Sequence, residues 1–432
     1  TPEDIKWSIE FVSKTPVANA VFVSTFSAIE GSKTNDVFNE TFSGIAIDGQ
    51  KITITFDKIA PDALLTFTQF APVPKSEFEG IDPLQVQQAP FFQHPIGCGP
   101  FMVEEVNMKN YTILAPFDKY YNGVADFKIQ MLPSAGDSDP NVVTRAKSGN
   151  LDYGYTKMVA DVQALEGTPG ITVTPIDVRY TRLFYLNKFD KKDGSPAPLA
   201  DVRVRQALRY AIDMETICET LFQGSAVPAN ALAPDANLKG GDLNDYNYNP
   251  EKAKELLAEA NWDPNTVIKA VYYYTDQATV DLMTAVQAYL ADVGIKMEFE
   301  LVEGDLATIL WAAPADQTNG PRAVDWDICY AANAALSLHE YYDRYRTGSP
   351  TNSHTPEDAE LNRLIDATNA SADVNAQNEA FKELIKYENE NLFTMALYYQ
   401  PIFLITSDKI GDIQKGTPQF CINWDIQNWN VQ

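Results

Sequence analysis

The stretch VDLMTAVQAYLADVGIKMEFEL, residues 280–301, constrains the fold more than any other. Its first half repeats apolar residues at helical spacing and stops at Gly294. Its second half alternates, with Ile295, Met297, Phe299 and Leu301 on one side. A helix delivered directly into a strand is a unit of an α/β domain. Further helices crowd in upstream. Asp201 is placed to cap a helix carrying Val204, Ala207, Leu208, Ala211 and Ile212. Asp213 can cap a second, ended by Gly224, and Asn249-Pro250 a third that buries Ala253, Leu256, Leu257 and Ala260. Residues 325–332 (DWDICYAA) read as a strand, 356–370 and 374–390 as helices, and 395–406 as strands.

The N-terminal part is more mixed. Thr1 can cap a helix with Pro2 at its first position and Glu3 and Asp4 in its first turn. KITITF (51–56) alternates, placing Ile52, Ile54 and Phe56 on one strand face, whereas PVPKSEFEGIDP (72–83) reads as loop. FMVEEV and YTILA form a hairpin through NMKN, and residues 139–150 read as helix. ITVTPIDV (171–178) and RLFYLNK (182–188) are strands, and FDKKDGSPAPLAD (189–201) is the best linker candidate.

A chain of 432 residues allows two or three domains. Acidic residues number 59 against 33 basic ones, a net charge of −26, which repels nucleic acid and anionic lipid. The acids are scattered, as on a solvated surface, and no nucleic-acid partner is expected. No run of eighteen apolar residues is present to span a bilayer. The four cysteines (98, 218, 329 and 421) lie far apart without a CxxC pair, which leaves buried thiols or a single disulfide open.

Catalytic motifs fail one by one. Gly97-Cys98-Gly99-Pro100 lacks the third glycine and following helix of a dinucleotide loop, and the lysine of a phosphate loop. It reads as a structural turn rather than a nucleophile. HEYYD (339–343) has Asp343 where a zinc helix needs its second histidine, so His339 reads as a surface residue beside a carboxylate. No metal site and no cofactor are expected. Carboxylates are numerous enough that a paired-acid glycoside hydrolase stays open. Tyrosine clusters at 271–276, 339–345 and 396–401, and the tryptophan cluster at 422–430, suit a cleft for peptide or sugar, although strand alternation sends part of each into a core.

The segment LADVRVRQALRYAIDMETICETLFQGSAVPANALAPD (199–235) closely resembles the signature of family 5 solute-binding proteins, the binding components of ABC importers for peptides, nickel or oligosaccharides. The match runs through Asp201, Val202, Arg203, Arg205, Gln206, Ala207, Ala211, Ile212, Asp213, Gly224 and Pro228. TPEDIKWSIEFV, HPIGCGPFMVEEV, YNPEKAKELLAEANW (with Asn261 for the usual Gly), AYLADVGIKMEFE and DWDICYAA resemble other family segments in the family's order. In this family a Gly-Thr-Gly-Pro turn stands where Cys98 stands here.

The resemblance implies an α/β, two-lobed periplasmic-binding-protein-like fold of type II, with an extra domain, mixed sheets flanked by helices, and a hinge between the lobes. It assigns 1–92 to the extra domain II, 93–182 to the middle of domain I, 183–404 to domain III and 405–432 to the return into domain I. The family's opening segment, often lipid-anchored, is expected to lie outside this sequence. Implied partners are a small-molecule or peptide ligand and the permease subunits of an ABC transporter. The protein is expected to be a bacterial, extracytoplasmic monomer in the periplasm or on the outer face of the cytoplasmic membrane, and no enzyme. The expected cleft residues are Tyr185 and Asn187, then Tyr273, Tyr274 and Asp276, then Asn333, Ala334, Ala335, Leu336, Ser337 and Leu338, each of which packing alone can also explain. The charged anchors of family dipeptide binders are not seen: 270–277 reads AVYYYTDQ, without arginine. A longer peptide held by its backbone comes first. An oligosaccharide stacked on tyrosines is the alternative, and nickel is disfavoured by only three histidines.

Overall fold

The computed structural model describes residues 1–14, 20–35, 37–107, 109–133, 139–176, 181–233, 238–333, 338–411, 413 and 425–432. The chain falls into two compact units, Arg179–Gln400 and the combination of Thr1–Val178 with Pro401–Gln432.

The Arg179–Gln400 unit is built on a six-stranded mixed sheet. Its strands are β1 (Thr181–Leu186), β2 (Val227–Pro228), β3 (Val267–Tyr272), β4 (Lys296–Leu301), β5 (Ile328–Asn333) and β6 (Thr394–Tyr399), in the spatial order β2-β6-β1-β5-β3-β4. β3 is parallel to both β4 and β5, while β1 is antiparallel to β5 and β6. Alternate residues feed two cores. Phe184, Leu186, Ile328, Tyr330, Ile268 and Ala270 pack beneath helices Val202–Ala211, Met214–Thr220, Pro250–Glu259 and Gln277–Asp292. Leu183, Tyr185, Cys329, Ala331 and Val271 pack beneath helices Leu338–Asp343, Ala359–Thr368 and Val374–Asn391. Covering both faces explains why β1 is buried along its whole length and why Leu183–Leu186 reads as a continuous apolar run. At the edges, β2 is two residues long and contains Pro228, and β4 exposes Lys296, Glu298 and Glu300.

The expected helix signals are met in detail. Asp201, Asp213 and Asn249 each accept a backbone N–H at a helix start. The Pro250–Glu259 helix ends before Asn261, which adopts φ +54°. Asparagine tolerates this left-handed conformation better than other side-chain-bearing residues, which accounts for its standing in place of glycine. FDKKDGSPAPLAD is not a linker: it lies inside this unit, with Phe189, Ala197 and Leu199 buried, and the Asp190 carboxylate accepts the Ala197 N–H.

In the other unit, Thr1 and Asp4 form a reciprocal capping box on helix Pro2–Ser13. Ile9, Phe26, Ile29, Phe42 and Ile45 make its small core, against which Ile52, Ile54 and Phe56 pack as their alternation implies. The 72–83 segment holds a short helix, Lys75–Phe78, whose Phe78 is fully buried. Strand Ile402–Ser407 pairs between Tyr153–Thr156 and Ile171–Ile176, so residues 402–404, assigned by resemblance to the 183–404 lobe, pair within this unit. The predicted hairpin forms as Phe101–Asn107 and Tyr111–Pro116, joined by Ile129–Met131. Gly97 and Gly99 have ordinary φ values and no atom crowds a Cβ added to either, so the turn around exposed Cys98 imposes no glycine requirement.

Candidate functional site

Parallel strands β3 and β5 point their carboxyl ends toward one edge of the sheet. The register brings the start of β1 and the end of β6 to that same edge, with Thr181 opposite both Asn333 and Tyr399. In open α/β sheets, the carboxyl ends of adjacent parallel strands are where ligands bind. Here the edge is aromatic. Tyr273 and Tyr274 follow β3 directly, their hydroxyls 3.1 Å apart and their rings 4.4 Å apart. Tyr274 meets Tyr330 edge-on at 5.6 Å, and the Tyr330 and Tyr398 hydroxyls hydrogen-bond at 2.7 Å.

Arg182 enters this group from β1. Its guanidinium carbon lies 4.3 Å from the Tyr274 ring centre and 5.8 Å from that of Tyr330. A guanidinium stacked on aromatic faces gains cation–π attraction and keeps a fixed plane. Asp276 caps helix Gln277–Asp292, its two oxygens accepting the Thr279 N–H and hydroxyl at 2.9 Å each. Burial pushes the Tyr398 hydroxyl well above its ordinary pKa. Tyr330 and Asp276 push it further, and Arg182 pulls the other way.

The expected site residues therefore separate. Tyr273, Tyr274, Asp276 and Asn333 come to one edge. Tyr185 and Asn187 do not: Tyr185 is a core residue on the other face, in ring contact with Trp311, Tyr345 and His354. Asn187 lies past the far end of β1, fully buried, accepting the Phe189 N–H. Leu338 is buried in the same core as Tyr185, and Ala334, Ala335, Leu336 and Ser337 lie outside the described residues. His339 is not at the surface: it is buried, its ring 4.7 Å from that of Phe381. Arg182 and Tyr330 were not expected, whereas Tyr398 falls in the 396–401 tyrosine cluster. An arginine opening an otherwise apolar strand was the available signal.

A second polar group lies deeper. Lys188 donates to the carbonyls of Leu186 and Phe393, and its ammonium is pushed well below its usual pKa by burial and by Arg205. Glu388 faces it, pushed up to about 8 by burial against the opposing effects of the Thr394 N–H and Lys188. Burial holds the nearby His354 neutral. Among the described residues there is no group of three His, Cys, Asp or Glu side chains suited to a metal ion. Cys218 and Cys329 are buried free thiols, the former pushed up to about 12 by burial, and Cys421 lies outside the described residues.

A helix-covered mixed sheet of this order is shared with solved structures of solute-binding proteins. The fold matches solved structures of that class. The oligopeptide-binding protein AppA from Bacillus subtilis, in complex with a nonapeptide, superposes with a TM-score of 0.75 at 16% identity, over 100% of this chain and 83% of that one. NikZ from Campylobacter jejuni, in complex with Ni(L-His), gives 0.74 at 18%, over 99% and 84%. The chain belongs to the bacterial extracellular solute-binding proteins, family 5, whose sequence model matches residues 1–355. A Brucella ovis protein named as an ABC transporter peptide-binding protein is 28% identical over 283 residues, 63% of this chain and 52% of the relative. The chain thus spans about half the length of the curated relatives it matches.

Proposed function

We propose that this protein captures an oligopeptide outside the cytoplasm by closing its lobes around it, and delivers it to the permease of an ABC importer without chemical turnover. The observation that carries this reading is the strand-end edge of the Arg179–Gln400 unit, where half-buried Tyr273 and Tyr274 stand over a buried group of Arg182, Tyr330 and Tyr398. Tyrosine offers a stacking face and a hydroxyl, which suits a ligand of repeated amides. Family membership and peptide-binding relatives support the same ligand class. Ligand contacts made only in the closed state would shift the equilibrium toward it. The assignment of successive segments to domains II, I, III and I is part of this proposal, with the limits of the 183–404 lobe moved to Arg179 and Gln400, as is action as a monomer. Among the described residues no helix is long and apolar enough to cross a membrane.

The test is a thermal-shift screen against peptide and oligosaccharide pools, followed by mass spectrometry of the ligand released. Peptides should raise the melting temperature and be recovered intact. Stabilisation by oligosaccharides alone would move the ligand class, and recovery of cleaved ligand would replace binding by catalysis.

A further inference from the structure

We propose that Asn122-Gly123 is a site of spontaneous covalent modification, at which Asn122 loses its side-chain nitrogen as ammonia, becomes aspartate or isoaspartate, and releases the 425–428 turn to which it is tied. The chemistry needs only water and base, and it is independent of what the protein binds.

The sequence contains two Asn-Gly pairs, Asn122-Gly123 and Asn319-Gly320. A glycine has no Cβ to hinder its nitrogen from reaching the preceding side-chain amide. That nitrogen, giving its proton to base, attacks Cγ of the asparagine. A C–N bond forms, the Cγ–Nδ2 bond breaks, and ammonia leaves with a proton from solvent. Water then opens the five-membered imide at either carbonyl, giving aspartate or isoaspartate. The fold treats the two pairs differently. Asn122 and Gly123 are both exposed, and among the described residues the Gly123 N–H makes no hydrogen bond. The Gly320 N–H is held by the Asp316 carbonyl at 3.1 Å, in a turn where one Asp316 carboxylate oxygen also accepts the N–H groups of Thr318 and Asn319. A carboxylate lies beside each pair, Asp425 and Asp316, so charge does not separate them.

The consequence follows from what Asn122 holds. One Asp425 oxygen accepts three side-chain amides, Gln427 at 2.6 Å, Asn428 at 2.9 Å and Asn122 at 3.4 Å. Gln427 also donates to the Asn122 carbonyl. A carboxylate at 122 has no N–H to donate and repels Asp425. The isoaspartate form moves a methylene into the main chain and displaces that carbonyl. The turn leads into strand Asn430–Val431, which pairs with Ile410–Gly411.

The experiment ages the folded protein in mildly alkaline buffer made with heavy-oxygen water, and a second sample in denaturant. Peptide mapping by mass spectrometry follows both pairs. In the folded protein Asn122 should convert roughly 10-fold faster than Asn319, about the effect of one hydrogen bond that must break first. It should take up heavy oxygen and yield both isomers. In denaturant the gap should close. Asn122→Gln, whose longer side chain needs a six-membered ring, should stay unmodified at that position. The aged protein and Asn122→Asp should both lose amide-exchange protection over residues 425–432, including the Gln432 N–H bonded to the Lys409 carbonyl at 2.9 Å. Equal conversion of the two pairs in the folded protein, or faster conversion of Asn319, overturns the proposal, as does a gap that persists in denaturant. Unchanged exchange in the aged protein overturns the release of the turn.

Discussion

The six-stranded sheet and the Phe101–Asn107 hairpin sheet are made by the same alternation rule, yet they are stabilised differently. Every residue of β1 is buried, whereas no described residue of the three hairpin-sheet strands is. The larger sheet has a helical layer on each face, contributed by sequence neighbours of its own strands. The ionic contacts follow suit. Arg322 and Asp327 are both buried and bonded at 2.6 Å, and the second Asp327 oxygen accepts the Lys269 N–H. In the hairpin sheet, Lys128 and Glu104 meet at the same distance in solvent. Alternation sets which residues face together, and the covering layers decide what that is worth.

The strongest way to break the comparison is Asp327→Ala. Leaving buried Arg322 with only the exposed Asp325, 3.8 Å away, as a charged partner should cost about 3 kcal/mol, read from denaturant midpoints. Lys128→Ala should cost no more than about 1 kcal/mol. Equal costs would mean that the burial difference carries no energy. Next comes a pair of leucines: Leu186→Ala should cost about 2–5 kcal/mol. Leu114→Ala, half-buried in the hairpin sheet, should cost about 1 kcal/mol. Amide exchange resolves the two units if they unfold separately.

The pH dependence sharpens the contrast further. Glu388 stays protonated in the folded protein up to about pH 8, while its unfolded counterpart ionises near its ordinary value of 4.5. The folded state therefore binds the extra proton in that window, and its stabilisation is lost as pH rises from about 4.5 to 8. Glu388→Gln should flatten that fall in melting temperature. Lys188, lowered in the folded state, works oppositely, adding stability as pH rises through its folded pKa. Asn261→Gly, relieving a left-handed side chain, should change stability by about 1 kcal/mol or less, upward. The smallest effect belongs to exposed Cys98→Thr, which should leave both melting temperature and ligand affinity unchanged.

Local structure was largely legible in the sequence, because it is written by neighbours. Caps at Asp201, Asp213 and Asn249, and the substitution of Asn261 for glycine, depend on a few adjacent residues. What failed depended on distant ones. His339 is buried because Phe381 comes from another helix, and the 189–201 segment is ordered because its apolar residues find a core. The site divides the same way. Tyr273, Tyr274 and Asp276 stand together in sequence, whereas Arg182 reaches them only through a sheet order that no single stretch encodes. Tyr185 was misplaced for the complementary reason: on a sheet covered on both faces, a tyrosine can be interior on either side.

The edges of the large sheet limit how a peptide can be gripped. Pro228, in the two-residue β2, has no N–H to offer a further strand, and the opposite edge presents Lys296, Glu298 and Glu300. Many proteins hold extended peptides by letting them join a sheet as one more strand. The proline at one edge and the charged residues at the other disfavour such an addition. Recognition that uses this sheet then works end-on, through side chains where its strands stop rather than through a further strand.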